Sequence, residues 1–322
     1  MDINHRAVSE GDMNLDASHP PILTAESKEV MHTGGAVANT AHLDTHCSPT
    51  WCPGCGDFGI FGAFKKALVE LGLAPQDFLV VYGVGCHGHM VNFLNGYGFE
   101  GLHGRDMPVA IGAALANPKL KIFVIAGDGN EYGEGLNHFI AGVRGNHNIT
   151  AIIHNNMVYG LTTGQTSPTS AKGFKSKTTP AGSLETPINP LALSLTLGAT
   201  FVARGFAGDM AQLKKLIVAG AQHDGFAHID VLQPCVTFNH LNTYAWYRER
   251  IYKLQESENW PANDRVAGWQ KSLEFGDRIP TGIFYQETSP SYEDQIPQEQ
   301  PIPLAHQSLN KININPLLEK FK

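Results

Sequence analysis

Five short stretches of this 322-residue chain carry side chains able to do chemistry together. Gly127-Asp128-Gly129 offers a carboxylate in a pliable turn, and Asn155-Asn156 offers neutral amides after the next apolar run. A hard cation such as Mg²⁺ wants oxygen ligands and commonly shares them with phosphates. Asp128 and Asn156 suit that need. The glycines let a diphosphate approach the backbone, and a helix expected to start near Glu131 presents its N–H groups. Gly-Asp-Gly alone is an ordinary tight turn; the following Asn pair is what favours a metal–diphosphate site. Thiols form the second group. Cys52 and Cys55 share one turn in Trp51-Cys52-Pro53-Gly54-Cys55-Gly56-Asp57, Cys86 ends Gly83-Val84-Gly85-Cys86, and Cys235 ends Gln233-Pro234-Cys235. Such a set grips an iron–sulfur centre or, equally by composition, a tetrahedral zinc ion.

The elements that position these residues follow a repeating rhythm of apolar run, glycine-rich turn and helix. The runs are 78–82, 122–126, 149–153, 200–203 and 228–232, each continuously apolar as in strands covered on both faces. Segments 136–143 and 210–221 have helical periodicity. So does the stretch after Asp57, where Ile60, Phe61, Phe64, Leu68 and Leu71 recur before a stop at Gly72; Asp57 is expected to cap it. Strand alternating with helix predicts an α/β fold with a doubly wound, mostly parallel sheet. Ligands in such sheets sit beyond the carboxyl ends of strands, where every one of these stretches falls except the Cys52–Cys55 turn, which precedes a helix. Three regions are expected: a flexible N-terminal arm over 1–44, a binding domain over 45–240, and an irregular C-terminal extension over 241–322. The polar stretch 164–187 is long for a loop in a compact domain, which suggests function or mobility.

Composition limits the alternatives. With 42% hydrophobic and 16% charged residues, a sizeable core is expected. The formal net charge of −7 and the lack of a long basic run argue against nucleic acid. No uninterrupted apolar stretch of membrane-spanning length occurs, and no secretory signal pattern opens the chain, so a cytoplasmic setting is expected. Five cysteines in a chain of this size point to metal or redox use instead of disulfides. A nicotinamide fingerprint with an acidic residue about twenty positions later is missing.

Gly-Asp-Gly, a helix and an Asn pair after the next strand resemble the diphosphate-binding motif of thiamine-diphosphate enzymes. The fuller set is similar to the β chain of 2-oxoacid:ferredoxin oxidoreductases. It adds Trp-Cys-Pro-Gly-Cys-Gly, Gly-Val-Gly-Cys, His103-Gly104-Arg105, Tyr159-Gly160-Leu161-Thr162-Thr163-Gly164-Gln165 with Ser167-Pro168-Thr169, and Pro234-Cys235-Val236-Thr237-Phe238. Pro280-Thr281-Gly282-Ile283-Phe284-Tyr285 resembles the family's tail. The resemblance implies thiamine diphosphate held through Mg²⁺ by Asp128, Asn156 and the Val158 carbonyl. It carries Gly85, Cys86, His103, Gly127, Gly129, Asn130, Gly160 and Leu161 over as further cofactor contacts, with His103 as the catalytic candidate. It makes Cys52, Cys55, Cys86 and Cys235 the ligands of a [4Fe–4S] cluster.

The implied activity is oxidative decarboxylation of a 2-oxoacid (2-oxoglutarate or pyruvate) to acyl-coenzyme A and CO₂, with electrons leaving to ferredoxin. An α subunit is expected to supply the pyrimidine-binding domain and its glutamate, in a hetero-oligomer such as (αβ)₂. Two rivals remain open: a non-redox thiamine decarboxylase subunit, and a zinc-stabilised binding module. Outside the pattern, Cys47 reads as a bystander thiol, and His87 and His89 flank Cys86 where they could tune a cluster. His154 reads as structural. Lys172, Lys175 and Lys177 either meet anionic coenzyme A or an acidic ferredoxin, or line a solvated loop.

Overall fold

The computed structural model describes residues 39–257, 260–296, 302–308, 310 and 312–321. Most of the expected N-terminal arm lies outside these residues. Its last part does not: Thr40–Leu43 forms a 3₁₀ turn, Leu43 is fully buried, and Asp44 pairs with Lys65. Among the described residues, eight strands form one sheet. They are β1 (Phe78–Tyr82), β2 (Tyr97–Glu100), β3 (Lys121–Gly127), β4 (Ile149–Asn155), β7 (Phe201–Phe206), β8 (Ala227–Leu232), β9 (Ile251–Lys253) and β10 (Ile279–Gln286). Across the sheet they run in the order β2-β1-β3-β4-β8-β7-β10-β9. A separate two-residue hairpin pairs β5 (Val158–Tyr159) with β6 (Gln165–Thr166). Strand β10 runs antiparallel to β7; the other pairings in the large sheet are parallel.

The central strands β3, β4, β7 and β8 are buried almost throughout, which explains their unbroken apolar character. Helices α2 (Asp106–Ala116), α3 (Leu136–Gly145) and α4 (Pro190–Thr196) pack their apolar side chains with Val124, Ala126, Ala151 and Val202 in one core layer. Helices α1 (Gly56–Glu70) and α5 (Met210–Gln222) cover the opposite face. Phe64 of α1 meets Phe123 of β3 edge-on at 5.1 Å, and Gly220 of α5 lies close against Thr150 and Ile229. Burial of such side chains, at roughly 25 cal/mol per Å² of apolar surface, is the main stabilising contribution.

Three sequence expectations change. Asp57 does not cap α1: the N-cap is Cys55, and Asp57 is fully buried with its carboxylate on His154. The helical segment at the Gly-Asp-Gly turn opens before Glu131, with a π-helical turn over Asn130–Glu134 leading into α3. The extension after 240 is not merely an irregular wrap, because β9 and β10 extend the main sheet.

Candidate functional site

Chain leaving β1 crosses to β2 on one side, and chain leaving β3 crosses to β4 on the other. The β1–β3 boundary is therefore a switch point, where diverging loops open a crevice. Residues 83–86 and 127–130 flank it. Asn130 ties the two loops together: its Oδ1 accepts from Val84 N (3.1 Å) and Gly104 N (2.9 Å), and its Nδ2 donates to Asp106 Oδ1 (2.7 Å). The Asn130 side chain thus holds the floor of the crevice. Gly85 and Gly127 leave room for the His87 ring; a Cβ on either would come within 2.7 Å of it or closer. Gly129 is likewise fixed by contact, since a Cβ there would stand 2.3 Å from the Tyr159 ring.

Asp128 follows β3 directly and is 1% exposed. Ser167 Oγ and Thr169 Oγ1 both lie 2.5 Å from its Oδ2, and the Asn156 backbone N–H adds to the stabilisation of the carboxylate. Burial nonetheless pushes its pKa up to about 6, although both hydroxyls stabilise the charge. A buried carboxylate in that condition is poised to receive a cation. Behind it runs a buried polar chain. Thr169 Oγ1 also lies 3.0 Å from Asn155 Oδ1, Asn155 Nδ2 donates to Asp230 Oδ1 (3.0 Å), and Arg204 Nε reaches Asp230 Oδ2 (3.4 Å).

Asn156 and Val158 sit at the end of β4, on either side of Met157, whose φ of 60° is left-handed in a residue that disfavours it. Strain of this kind collects at functional sites. Asn156 Oδ1 accepts from Val158 N (3.1 Å) and keeps a second lone pair. Its Nδ2 donates to Gln233 Oε1 (3.3 Å), and Ser170 Oγ holds the Met157 carbonyl (2.6 Å). At the rim, His103 Nδ1 faces Glu134 Oε2 at 3.2 Å, and the Tyr159 hydroxyl bonds to the same carboxylate. Leu161 is 45% exposed in the turn after β5.

Two of the thiols meet beside this crevice at Gly160: a Cβ there would stand 3.7 Å from Cys86 Sγ, 3.7 Å from Cys235 Sγ and 3.8 Å from Asn156 Nδ2. Cys55 Sγ donates to Asp57 Oδ2 (3.2 Å) and lies 3.6 Å from Gln233 Nε2. Cys235 and Cys52 both lie within electrostatic reach of Cys86. The Trp51 indole clamps the Cys86 carbonyl at 2.6 Å, beneath a cage of Phe58, Phe61 and Phe93 rings. Burial, with the Asp57 charge adding to it, pushes the Cys55 thiol far up and Cys86 up to about 12; burial raises Cys235 as well. These thiols stay protonated until a metal displaces the protons. Among the described residues, no three His, Cys, Asp or Glu side chains are already closed around a single-ion position. Cys47 is exposed, with its N–H on the Thr45 hydroxyl.

Sequence reasoning missed several contributors. Ser167 and Thr169 belong to the long loop and carry no local sign that they reach Asp128. His154 is structural as expected, yet its partner is Asp57: Nδ1 and Oδ1 are 2.7 Å apart with both residues fully buried. Glu131 is fully buried, its carboxyl oxygens have no hydrogen-bond partner among the described residues, and burial holds its pKa well up, with Asp106 adding to the rise. Lys172, Lys175 and Lys177 are exposed.

Comparison with known proteins bears on this geometry. The family model for the thiamine pyrophosphate enzyme C-terminal TPP-binding domain matches residues 83–231. The model for the C-terminal part of the pyruvate ferredoxin oxidoreductase beta chain matches residues 235–300. The chain is similar to the 2-oxoacid:ferredoxin oxidoreductase subunit β of Saccharolobus solfataricus, with 45% identity over 263 residues covering 78% of this chain and 86% of that one. It is 37% identical over 256 residues to the 2-oxoglutarate synthase subunit KorB of Archaeoglobus fulgidus, covering 79% and 91%. A solved 2-oxoglutarate:ferredoxin oxidoreductase from Magnetococcus marinus, with 2-oxoglutarate, coenzyme A and succinyl-CoA bound, superposes with a TM-score of 0.77 at 36% identity. That match covers 80% of this chain and 87% of that one.

Proposed function

The chain belongs to the family of 2-oxoacid:ferredoxin oxidoreductase β subunits, and from that premise we propose how its residues divide the work. It is the thiamine-diphosphate-binding α/β chain of an enzyme that oxidatively decarboxylates a 2-oxoacid to an acyl-coenzyme A. Among 2-oxoacids we propose 2-oxoglutarate, which the Magnetococcus enzyme holds together with coenzyme A. Asp128, Asn156 and the Val158 carbonyl hold Mg²⁺, and Cys52, Cys55, Cys86 and Cys235 hold a [4Fe–4S] cluster.

The residues fit both groups. For the metal, Asp128 brings a carboxylate into a buried site that charge alone makes unfavourable, and the strained Met157 turns the backbone between Asn156 and Val158. For the cluster, Cys86 and Cys235 flank a cradle that a side chain at 160 would fill, with Cys52 in electrostatic reach of Cys86 and Cys55 in reach of Cys235. When bound, the thiamine supplies the nucleophile and electron sink for decarboxylation, and the cluster an acceptor of single electrons.

This chain's own residues bind and orient. Ser167 and Thr169 fix the orientation of the Asp128 carboxylate through its Oδ2. Asn130 fixes the β1 and β3 loops, and His103 stands at the open rim beside Glu134 where it can meet substrate. Cys55, Cys86 and Cys235, buried or half-buried, keep water from the electron acceptor. The β-subunit naming of its relatives supports an α partner, which would donate the activating glutamate in an (αβ)₂ assembly. Among the described residues, no helix is long and apolar enough to cross a membrane.

One observation carries the reading: the point at Gly160 touches two cluster thiols and the metal-site asparagine together. A non-redox decarboxylase has no use for thiols at that distance. The test is anaerobic turnover by the chain co-expressed with its α partner. Reduction of ferredoxin that needs both 2-oxoglutarate and coenzyme A is expected. CO₂ release from 2-oxoglutarate without electron transfer would overturn it.

A further inference from the structure

Away from the crevice, a cavity of about 690 Å³ opens beside the carboxyl end of β7, lined by Lys66, Phe206, Met210, Lys214, Lys215 and Arg248 among others. Four cationic side chains face one carboxylate, Asp209, in a chain whose formal net charge is −7. Lys214 pairs with Glu70, and Asp209 with Lys253. Lys66, Lys215 and Arg248 are exposed and have no ion-pair partner among the described residues. A local excess of positive charge therefore stands on a negatively charged protein.

The position of this face matters more than its charge. Ala207, next to Phe206, packs against the first turn of α1: the Gly59 Cβ position lies 2.2 Å from the Ala207 carbonyl oxygen, and that of Gly56 3.3 Å from the Ala207 Cβ. Gly56 directly follows Cys55. From the other side, the Arg248 guanidinium sits 5.5 Å over the Tyr244 ring, and Tyr244 lies within electrostatic reach of Cys55. The basic face is thus the outer wall of the thiol set.

A small phosphate ligand does not suit it. The N-terminus of α5, the natural anion position, is already capped by Asp209, whose Oδ1 accepts from Gln212 N at 3.0 Å. A carboxylate there repels a second anion. The wall also exposes apolar surface at Met210, 42% exposed, as macromolecular contacts do. We propose that this face, centred on Lys66, Lys215 and Arg248, docks an acidic iron–sulfur electron-carrier protein on the Cys55 side of the thiol set. The assignment rests on the reading of the thiols as a cluster site, since that gives a carrier its reason to dock there.

The experiment uses the intact complex with its α partner and the triple variant Lys66→Glu, Lys215→Glu, Arg248→Glu. Electrostatic steering changes association roughly 10- to 1,000-fold, so the KM for ferredoxin is expected to rise at least tenfold at low salt and to lose its salt dependence. The KM for coenzyme A and 2-oxoacid-dependent reduction of methyl viologen stay at wild-type values. Lys66→Gln, Lys215→Gln, Arg248→Gln gives a smaller rise of the same kind. An unchanged ferredoxin KM overturns the proposal, and so does a rise in the coenzyme A KM alone, which would make the face a small-polyanion site. Calorimetric binding of ferredoxin to wild type and variant reads docking whether or not the thiols hold iron. Absent iron with intact, charge-dependent binding would therefore sink the cluster reading and leave the docking face standing.

Discussion

Replacing Asp128 by Asn should stabilise the metal-free protein while destroying its metal site. In the folded chain burial lifts the Asp128 carboxyl from its ordinary value near 3.8 to about 6. Each pKa unit corresponds to about 1.4 kcal/mol, so the shift amounts to about 3 kcal/mol at most. The sign follows from proton uptake. Between those two values the native state binds the proton more tightly than the unfolded state does, so stability falls as pH rises from 4 to 6 and is flat above. At pH 7.5 in chelator, wild type carries the whole cost of a buried charge; Asn, of the same shape, carries none. Its Oδ1 can still accept from Ser167 or Thr169. Urea unfolding of the chelated complex should therefore give Asp128→Asn a gain of up to about 3 kcal/mol at pH 7.5, shrinking toward pH 4. Calorimetry with Mg²⁺ and thiamine diphosphate should show affinity lost by orders of magnitude. A variant no more stable than wild type in chelator, or one that still binds thiamine diphosphate in a Mg²⁺-dependent way, would refute the reasoning.

Three further substitutions probe the same architecture. Thr169→Val removes one hydroxyl from Asp128 Oδ2 and leaves Asn155 Oδ1 without its partner, for an expected loss of about 1–3 kcal/mol in urea unfolding and weaker Mg²⁺ binding. Arg204→Met strands the buried Asp230 carboxylate and should cost about 3–5 kcal/mol at neutral pH, whereas joint replacement of both by apolar residues costs much less. Gly160→Val inserts methyl groups among Cys86, Cys235 and Asn156; iron content and thiamine diphosphate affinity should fall together with circular dichroism unchanged. Loss of one without the other would separate the two sites.

The central fold was legible because β1, β3, β4, β7 and β8 are covered on both faces and so read as unbroken apolar runs. Edge strands gave no such signal. All four residues of β2 are exposed, and its Tyr-Gly-Phe-Glu resembles a turn. Strand β10 begins Ile-Pro-Thr-Gly, a composition typical of loops, and joins the sheet only through β7, more than seventy residues earlier. At the proposed site, residues at strand ends were visible in the sequence: Asp128, Asn156, Cys86 and Cys235, with Cys52 and Cys55 marked by their shared turn. Residues that act on a distant partner were not. Asp57 was expected to serve its own helix, yet its carboxylate answers to His154, 97 positions on. The Asn130 amide likewise reaches distant partners, Val84, Gly104 and Asp106. Local spacing encodes local roles, and nothing in the sequence near Asp128 announces Ser167 and Thr169.

The most direct test of the account is iron and acid-labile sulfide per chain, measured on the complex co-expressed with its α partner and purified without oxygen. About four of each is predicted, falling steeply in Cys86→Ser and Cys235→Ser. Stoichiometric zinc in place of iron, or four free thiols with thiamine diphosphate bound, would contradict it.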